Sequence, residues 1–503
     1  METRIDTTKE TNTSLEHHFS AFRKHVIGME KVIETPYGHK PLIYADWIAS
    51  GRLYGPIEAL FTHKIGPYVA NTHTNTTTTG SSMTLAYNRA RKLIKEHVNA
   101  GEKDVLISSG SGMTGVVNKF QRILGLRVHE NYKDNLAIND RPVVICSHME
   151  HHSNQTSWLE TIADVEVIEP CPEGLFDCEN LTSVLEKYKD RKLKIAAITS
   201  CSNVTGVFTP YHQIAEIMHA HGGLCFVDFA CSAPYIDIDM HPIDKPQGYL
   251  DAIFFSPHKF LGGPGSTGIL VFNGDLYNNS IPDNPGGGTV DWTNPWGEHK
   301  YHDEIEARED GGTPAFLQTI RVGLAIQLKD QLGTDKIKQR EHDLMQLVWP
   351  KLKTIPNLHL LADNVEDRLS VISFYIDNLH YNLAVKLLND RYGIQTRGGC
   401  SCAGTYGHYL LNVTKETSSN ITTKINHGDC SLKPGWVRFS LHPLMTDKEA
   451  LIIADAIKEL AKHHMAWGND YTYDGNCNEF IHNKLGVMEG KLVDEWFDND
   501  FSA

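Results

Sequence analysis

The sequence predicts an α/β protein, with a mainly parallel, seven-stranded-type sheet in a large domain and a smaller α+β domain after it. Three observations predict this. Seven short apolar runs recur between residues 104 and 272, segments with helical spacing separate several of them, and longer helical stretches take over after Arg321. Strands covered on both faces read as continuous apolar runs, and their alternation with helices favours a parallel sheet.

In chain order, residues 1–40 read as a polar extension with one amphipathic helix at about 15–29. The large domain, 41–325, carries the apolar runs 104–108, 142–146, 165–169, 195–199, 224–228, 252–255 and 268–272, with helical spacing at 116–124 and 181–188 between them. The small domain, 326–464, opens on a long helical stretch through Arg340 to Leu352. Strand-like 371–375, a helix at 380–392 and strand-like 436–440 follow. The tail, 465–503, is acidic and aromatic and suggests no role by itself. No repeat of solenoid or propeller period is evident.

Composition narrows the function. Lys and Arg number 47 against 62 Asp and Glu, a net charge of −15, and no basic block could neutralise a row of phosphates, so nucleic acid is not an expected partner. The N-terminus lacks the apolar core of a signal peptide, and no run approaches the ~20 apolar residues that span a bilayer. A cytoplasmic protein without membrane attachment is expected. The ten cysteines are few for 503 residues, and several lie in apolar runs, as reduced core residues do. Cys400-Ser-Cys402 differs, because its Gly-rich setting leaves the thiols accessible.

The strand-like 104–108 leads into Ser109-Gly-Ser-Gly-Met-Thr-Gly115, which opens the next helix. A Gly/Ser loop at a helix N-terminus points backbone N–H groups and a positive dipole end at an anion, and so reads as a phosphate cradle; a plain strand–helix turn is the alternative. Gly110, Gly112 and Gly115 also match G-x-G-x-x-G. A dinucleotide fold requires an acidic residue about 20 positions later at the end of the next strand. Here that strand runs into Ser147-His148, and the match fails.

The segment Asp251-Ala-Ile-Phe-Phe-Ser-Pro-His-Lys259 carries a buried strand straight into Ser256, His258 and Lys259. Desolvation disfavours a lysine's charge there, so its amine needs a task, and an internal Schiff base with pyridoxal phosphate is one. That cofactor also needs an acid beside its pyridine nitrogen, an anion site and a flat group over its ring. Asp228, ending the run 224–228, can be the acid or a helix N-cap. His151, in Ser147-His-Met-Glu-His-His-Ser-Asn154, can stack on the ring or move a proton, or be a turn residue. A metal site from His148, His151 and His152 lacks the H-E-x-x-H pattern and a third-ligand pattern, and no metal is expected.

Together these motifs resemble the fold-type-I, pyridoxal-phosphate-dependent class V aminotransferase group, nearest the cysteine desulfurases and selenocysteine lyases. The resemblance covers about 40–464 and rests on Met149-Glu-His-His-Ser-Asn154, Ser202-Asn203 with Gly206, Val227-Asp228, Ser256-Pro-His-Lys259, Gly286-Gly-Gly-Thr289, Gly312-Thr-Pro314, Arg397-Gly-Gly-Cys-Ser-Cys-Ala403 and Arg438-Phe-Ser440. It implies that Lys259 carries the Schiff base, Asp228 pairs with the pyridine nitrogen and His151 stacks on the ring. By the same resemblance, Asn203 binds the ring oxygen or the substrate carboxylate. Ser111, Gly112, Ser256 and His258 form the phosphate site, Thr289 reaches the partner subunit's phosphate in a homodimer, and Arg438 grips the substrate carboxylate. Cys402 falls at the persulfide cysteine. The implied reaction takes sulfur from L-cysteine, leaving L-alanine and a persulfide for an acceptor protein or reductant. Selenocysteine lyase, aminotransferase, epimerase and β-lyase chemistry on a small amino acid is the alternative.

Two departures stand out. The family's Asp-x-Ala-Gln is Asp228-Phe-Ala-Cys231 here, so Cys231 replaces the glutamine that binds the cofactor ring oxygen. About thirty-five residues separate Cys402 from Arg438, and the insertion 406–434 could lid the site or block an acceptor. These features and Cys400-x-Cys402 resemble the desulfurase-like domain of molybdenum cofactor sulfurases, although no separate molybdenum cofactor-binding domain is expected.

Overall fold

The computed structural model describes residues 14–135, 141–485 and 489–501. Residues 1–13 of the N-terminal extension, and 486–488 and 502–503 of the tail, lie outside them. All seven apolar runs are strands of one sheet: β1 (Asp104–Ser109), β2 (Val143–Ser147), β3 (Asp164–Ile168), β4 (Lys194–Thr199), β5 (Leu224–Asp228), β6 (Ala252–Phe255) and β7 (Gly268–Asn273). Their order is β1-β7-β6-β5-β4-β2-β3. Only β7 runs antiparallel to its neighbours, so the other six share one direction.

Consecutive residues of these strands enter opposite cores. Ile145, Ala196, Val227 and Ile253 pack on one face, while Val144, Ile195, Phe226 and Phe254 pack on the other. The period-2 alternation of side chains therefore meets apolar partners on both sides, which explains the unbroken runs.

A second, antiparallel sheet comprises β8 (Leu358–Leu360), β9 (Val371–Ile376), β10 (Arg397–Gly399) and β11 (Trp436–Ser440), in the order β8-β9-β11-β10. The helical stretch expected after Arg321 is two helices, Phe316–Leu332 and Thr334–Lys353, divided at Gly333 with φ +83°. Glycine adopts that left-handed geometry without the Cβ penalty, and the chain turns there. The N-terminal helix is also shorter than expected, Leu15–Arg23, because Val26 then bridges to Tyr54.

The segment after residue 41 links the two sheets. Ile43–Tyr44 pairs in parallel with Ile394–Gln395, and Ile43 and Ala45 enter the core of the second sheet. Ser440 N–H donates to the Ala45 carbonyl (2.7 Å), and the Ile48 N–H donates to Ser440 Oγ (3.1 Å). Asp46 is thereby set beside β11. The tail forms a hairpin, Tyr471–Asp474 with Glu479–His482, fastened by the Tyr471 hydroxyl to Asp390 Oδ2 (2.7 Å). Among the described residues, no helix is long and apolar enough to cross a membrane.

Candidate active site

The carboxyl ends of the parallel strands converge. Thr199, ending β4, lies opposite Asp228, ending β5. β6 runs into Ser256 and the short turn Pro257–Lys259. β11 brings Arg438 from the second sheet, and the loop after β10 brings Ser401 and Cys402. They line a cleft of about 210 Å³ together with Thr114, His151, Ser153, Asn203, Cys231, His258 and Arg397. Ligands bind outside the carboxyl ends of strands in open α/β sheets, and this cleft follows that rule.

The Lys259 amine has no hydrogen bond or ion pair among the described residues. Burial pulls its pKa below the usual lysine value, against Cys231 and Asp228, which raise it. Asp228 is buried, and desolvation pushes its carboxyl up to about 6 although Oδ1 accepts from the Ala230 N–H (2.8 Å). A buried carboxylate with a free oxygen suits a cationic ring nitrogen.

His151 accepts the Ser153 N–H at Nδ1 (3.1 Å), so Nε2 carries the ring proton. Burial first, then the nearby Lys259, lowers its pKa to about 3. The imidazole is neutral, which suits stacking and hydrogen-bond donation better than supplying a proton. Buried Glu150 fixes its loop, accepting from Ser147 Oγ (2.5 Å), Asn154 Nδ2 (2.8 Å) and the Thr199 N–H (2.8 Å). His148 and His152 do not converge with it: His148 Nε2 faces the Gly174 carbonyl (3.2 Å), and His152 Nε2 accepts the Gly404 N–H (2.9 Å).

The residues expected to cradle an anion come together from two strand ends of the sheet. Ser256 Oγ accepts the N–H of Met113, the first residue of helix Met113–Ile123 (2.8 Å), and keeps its own proton to donate. A Cβ on Gly112 would lie 3.0 Å from Ser256 Oγ and 3.7 Å from the His258 ring, so a side chain there would crowd the cradle. Ser111 is exposed beside it. Thr289 lies elsewhere: it is fully buried and donates through Oγ1 to the Gly286 carbonyl (2.6 Å) within its own three-glycine loop.

Cys402 sits in a tight turn closed by the Ala403 N–H on the Cys400 carbonyl (3.0 Å). Both central residues are left-handed, Ser401 at φ +51° and Cys402 at φ +58°, a conformation non-glycine residues keep only when their surroundings enforce it. Asn203 Nδ2 donates to the Ser401 carbonyl (2.7 Å), and the His152 N–H donates to the Cys402 carbonyl (2.7 Å). The insertion does not simply cover the site. Its first helix, Gly404–Leu410, buries Tyr406 against Met149, Val204 and Trp436.

Arg438 is almost wholly buried. Nη2 pairs with Asp46 Oδ1 (2.6 Å), Nη1 donates to the Asn203 carbonyl (3.1 Å), and Nε has no partner among the described residues. Sequence reasoning missed Asp46, Glu150, Thr114 and Ser153; Thr114 Oγ1 and Ser153 Oγ lie 2.6 Å apart at the cleft.

Residues 44–452 match the sequence model of the family described as Aminotransferase class-V. The chain belongs to that family. Class V aminotransferases are pyridoxal-phosphate enzymes in general, and this chain is an enzyme of the class. It is 30% identical over 370 residues to the cysteine desulfurase of Shigella sonnei, covering 72% of this chain and 84% of that protein. A probable cysteine desulfurase of Halalkalibacterium halodurans is 29% identical over 377 residues, 74% of this chain and 86% of that protein. In fold, the class V chain superimposes on the apo cysteine desulfurase from Thermococcus onnurineus NA1 with a TM-score of 0.69 at 22% identity. That match covers 88% of this chain and 98% of the other.

Proposed function

We propose that this class V enzyme removes sulfur from L-cysteine, giving L-alanine and a persulfide on Cys402. The observation that carries the reading is one cleft holding the unpartnered Lys259 amine and the Cys402 thiol beside the buried Arg438 guanidinium. The residues fit pyridoxal phosphate: Lys259 would hold it, Asp228 its ring nitrogen and His151 its face. Ser256, His258 and the loop at Ser111 and Gly112 would take its phosphate.

Bound there, the cofactor supplies an electron sink for bonds broken at the substrate α-carbon. Arg438 binds the substrate carboxylate, with Asn203 beside it. Lys259, low in pKa, takes the α-proton as a neutral amine. The Cys402 thiolate attacks the substrate sulfur; an S–S bond forms as the Cβ–S bond breaks, and protonation completes alanine. We further read the enzyme as a cytoplasmic homodimer in which Thr289, buried within its own three-glycine loop in the single chain, would reach the partner's phosphate only once that loop opens at the interface. Residues 41–325 and 326–464 are its two domains, and an acceptor protein or reductant takes the persulfide.

The test is alanine and sulfide release from L-cysteine by holoenzyme and by Cys402→Ser. Alanine from the wild type alone supports the reading. Equal alanine from both assigns the site to another class V reaction.

A further inference from the structure

We propose that Cys402, Cys400, Cys430 and Cys477 form a thiol relay that carries persulfide sulfur from the cleft to the protein surface. The inference rests on the desulfurase reading and gives work to two segments that reading leaves idle, the insertion and the C-terminal hairpin.

Tyr381, the first residue of helix Tyr381–Tyr392, is the post at which the segments carrying the outer thiols meet. A Cβ built on Gly399, next to Cys400, would lie 3.8 Å from its ring. One on Gly435 would lie 2.7 Å from that ring and 2.8 Å from the Gly399 Cα. The insertion returns to Gly435 through a turn in which the Lys433 N–H donates to the Cys430 carbonyl (3.0 Å). From the tail, Asn478, next to Cys477, donates through Nδ2 to the Tyr381 hydroxyl (2.8 Å). The Tyr473 hydroxyl in turn donates to Asn478 Oδ1 (2.8 Å). Burial, and to a lesser degree Cys400 and Cys430, raises the pKa of the Tyr381 hydroxyl, and burial, with Cys430 and Cys477, raises that of Tyr473.

The far end of the path is the exposed one. Cys402, Cys400 and Cys430 are half-buried, and Cys477 is exposed. Cys402 and Cys400 share one tight turn, so the first transfer needs no movement of distant segments. In each step a thiolate attacks the outer sulfur of the neighbouring persulfide, a new S–S bond forms, and the old one breaks to release the donor thiolate, which takes up the proton the attacking thiol gave up. Sulfur moves with no net oxidation, so the relay needs no redox partner.

The experiment incubates holoenzyme with L-cysteine without reductant, blocks thiols and persulfides by alkylation, and locates the extra sulfur atom by peptide mass spectrometry. Wild type carries sulfur on Cys402 and also on Cys430 and Cys477. Cys400→Ser keeps the first-turnover burst of alanine and the Cys402 persulfide but loses at least ten-fold of the label at Cys477. Cys477→Ser leaves label at Cys430. Sulfur confined to Cys402 in wild type overturns the relay while leaving the desulfurase reading intact. Full Cys477 label in Cys400→Ser also overturns it, by showing delivery that bypasses Cys400, with the outer sulfur carried off the Cys402 persulfide by the thiol of a second L-cysteine. Wild type that makes no alanine overturns both.

Discussion

Replacing Asp46 tests how the guanidinium of Arg438 is held, and the structure sets the scale. The side chains are 3% and 17% exposed, with Nη2 and Oδ1 at 2.6 Å. Unit charges about 4 Å apart attract by roughly 4 kcal/mol at an effective dielectric near 20. Removing one member of a buried pair costs about 3–5 kcal/mol, because the other charge is left uncompensated. The Asn203 carbonyl keeps one bond to Arg438, so the low end applies: about 3 kcal/mol for Asp46→Ala, and ~1–2 kcal/mol for Asp46→Asn, which keeps an acceptor. Binding should move the other way. The substrate carboxylate competes with Asp46 for the guanidinium, so Asp46→Asn lowers KM for L-cysteine several-fold without raising kcat. Urea titration followed by near-UV circular dichroism reads the first effect, and steady-state alanine formation reads the second. An unchanged midpoint in Asp46→Ala refutes the stability argument. A raised KM in Asp46→Asn shows that Asp46 orients Arg438 rather than competing for it.

Lys259→Ala should abolish the Schiff-base absorbance band on adding pyridoxal phosphate, whereas Cys402→Ser should keep the band and lose alanine formation; a band in Lys259→Ala removes the lysine from its assigned role. Gly206→Ala should destabilise the protein by about 1–3 kcal/mol in the same titration, because φ is +74° and the new Cβ would meet the Leu369 carbonyl oxygen at 2.5 Å; an unchanged midpoint counts against the tight packing. Burial raises Glu150 and Glu341 from 4.5 to about 8, so the folded state holds more protons than the unfolded chain between those values. Their contribution is complete below 4.5 and lost as pH rises through 8, at no more than about 1.4 kcal/mol per pH unit per group. His151 and His442, lowered from 6.5 to about 3, destabilise the fold only as pH falls below 6.5. Stability should therefore decline between pH 6.5 and 8, and Glu150→Gln should flatten the decline; a rising profile contradicts the assignment.

What the sequence makes legible follows from distance along the chain. Each strand end and its reactive residue are neighbours in sequence: Asp228 closes β5, Lys259 stands four residues past β6, and His151 four past β2. Once apolar runs mark parallel strands, their carboxyl ends share one edge, and residues written hundreds of positions apart become one site. Interactions that need two remote segments carry no such mark. Asp46 and Arg438 are 392 residues apart, and an aspartate in Tyr44-Ala-Asp-Trp47 shows nothing of the guanidinium it neutralises. Glu150 lies inside a recognised motif, yet its role appears only when β4 brings the Thr199 N–H to it. The break at Gly333 is hidden because a lone glycine can continue a helix at a cost of about 1 kcal/mol, and only the left-handed φ shows that this one does not. The tail is the extreme case. Its anchors, Asp390 and Tyr381, belong to one helix far upstream, so an acidic, aromatic segment with no pattern of its own is placed by partners beside the strand that feeds the Cys402 turn. A segment placed that way can take part in chemistry begun there, and Cys477 is the residue through which it would do so.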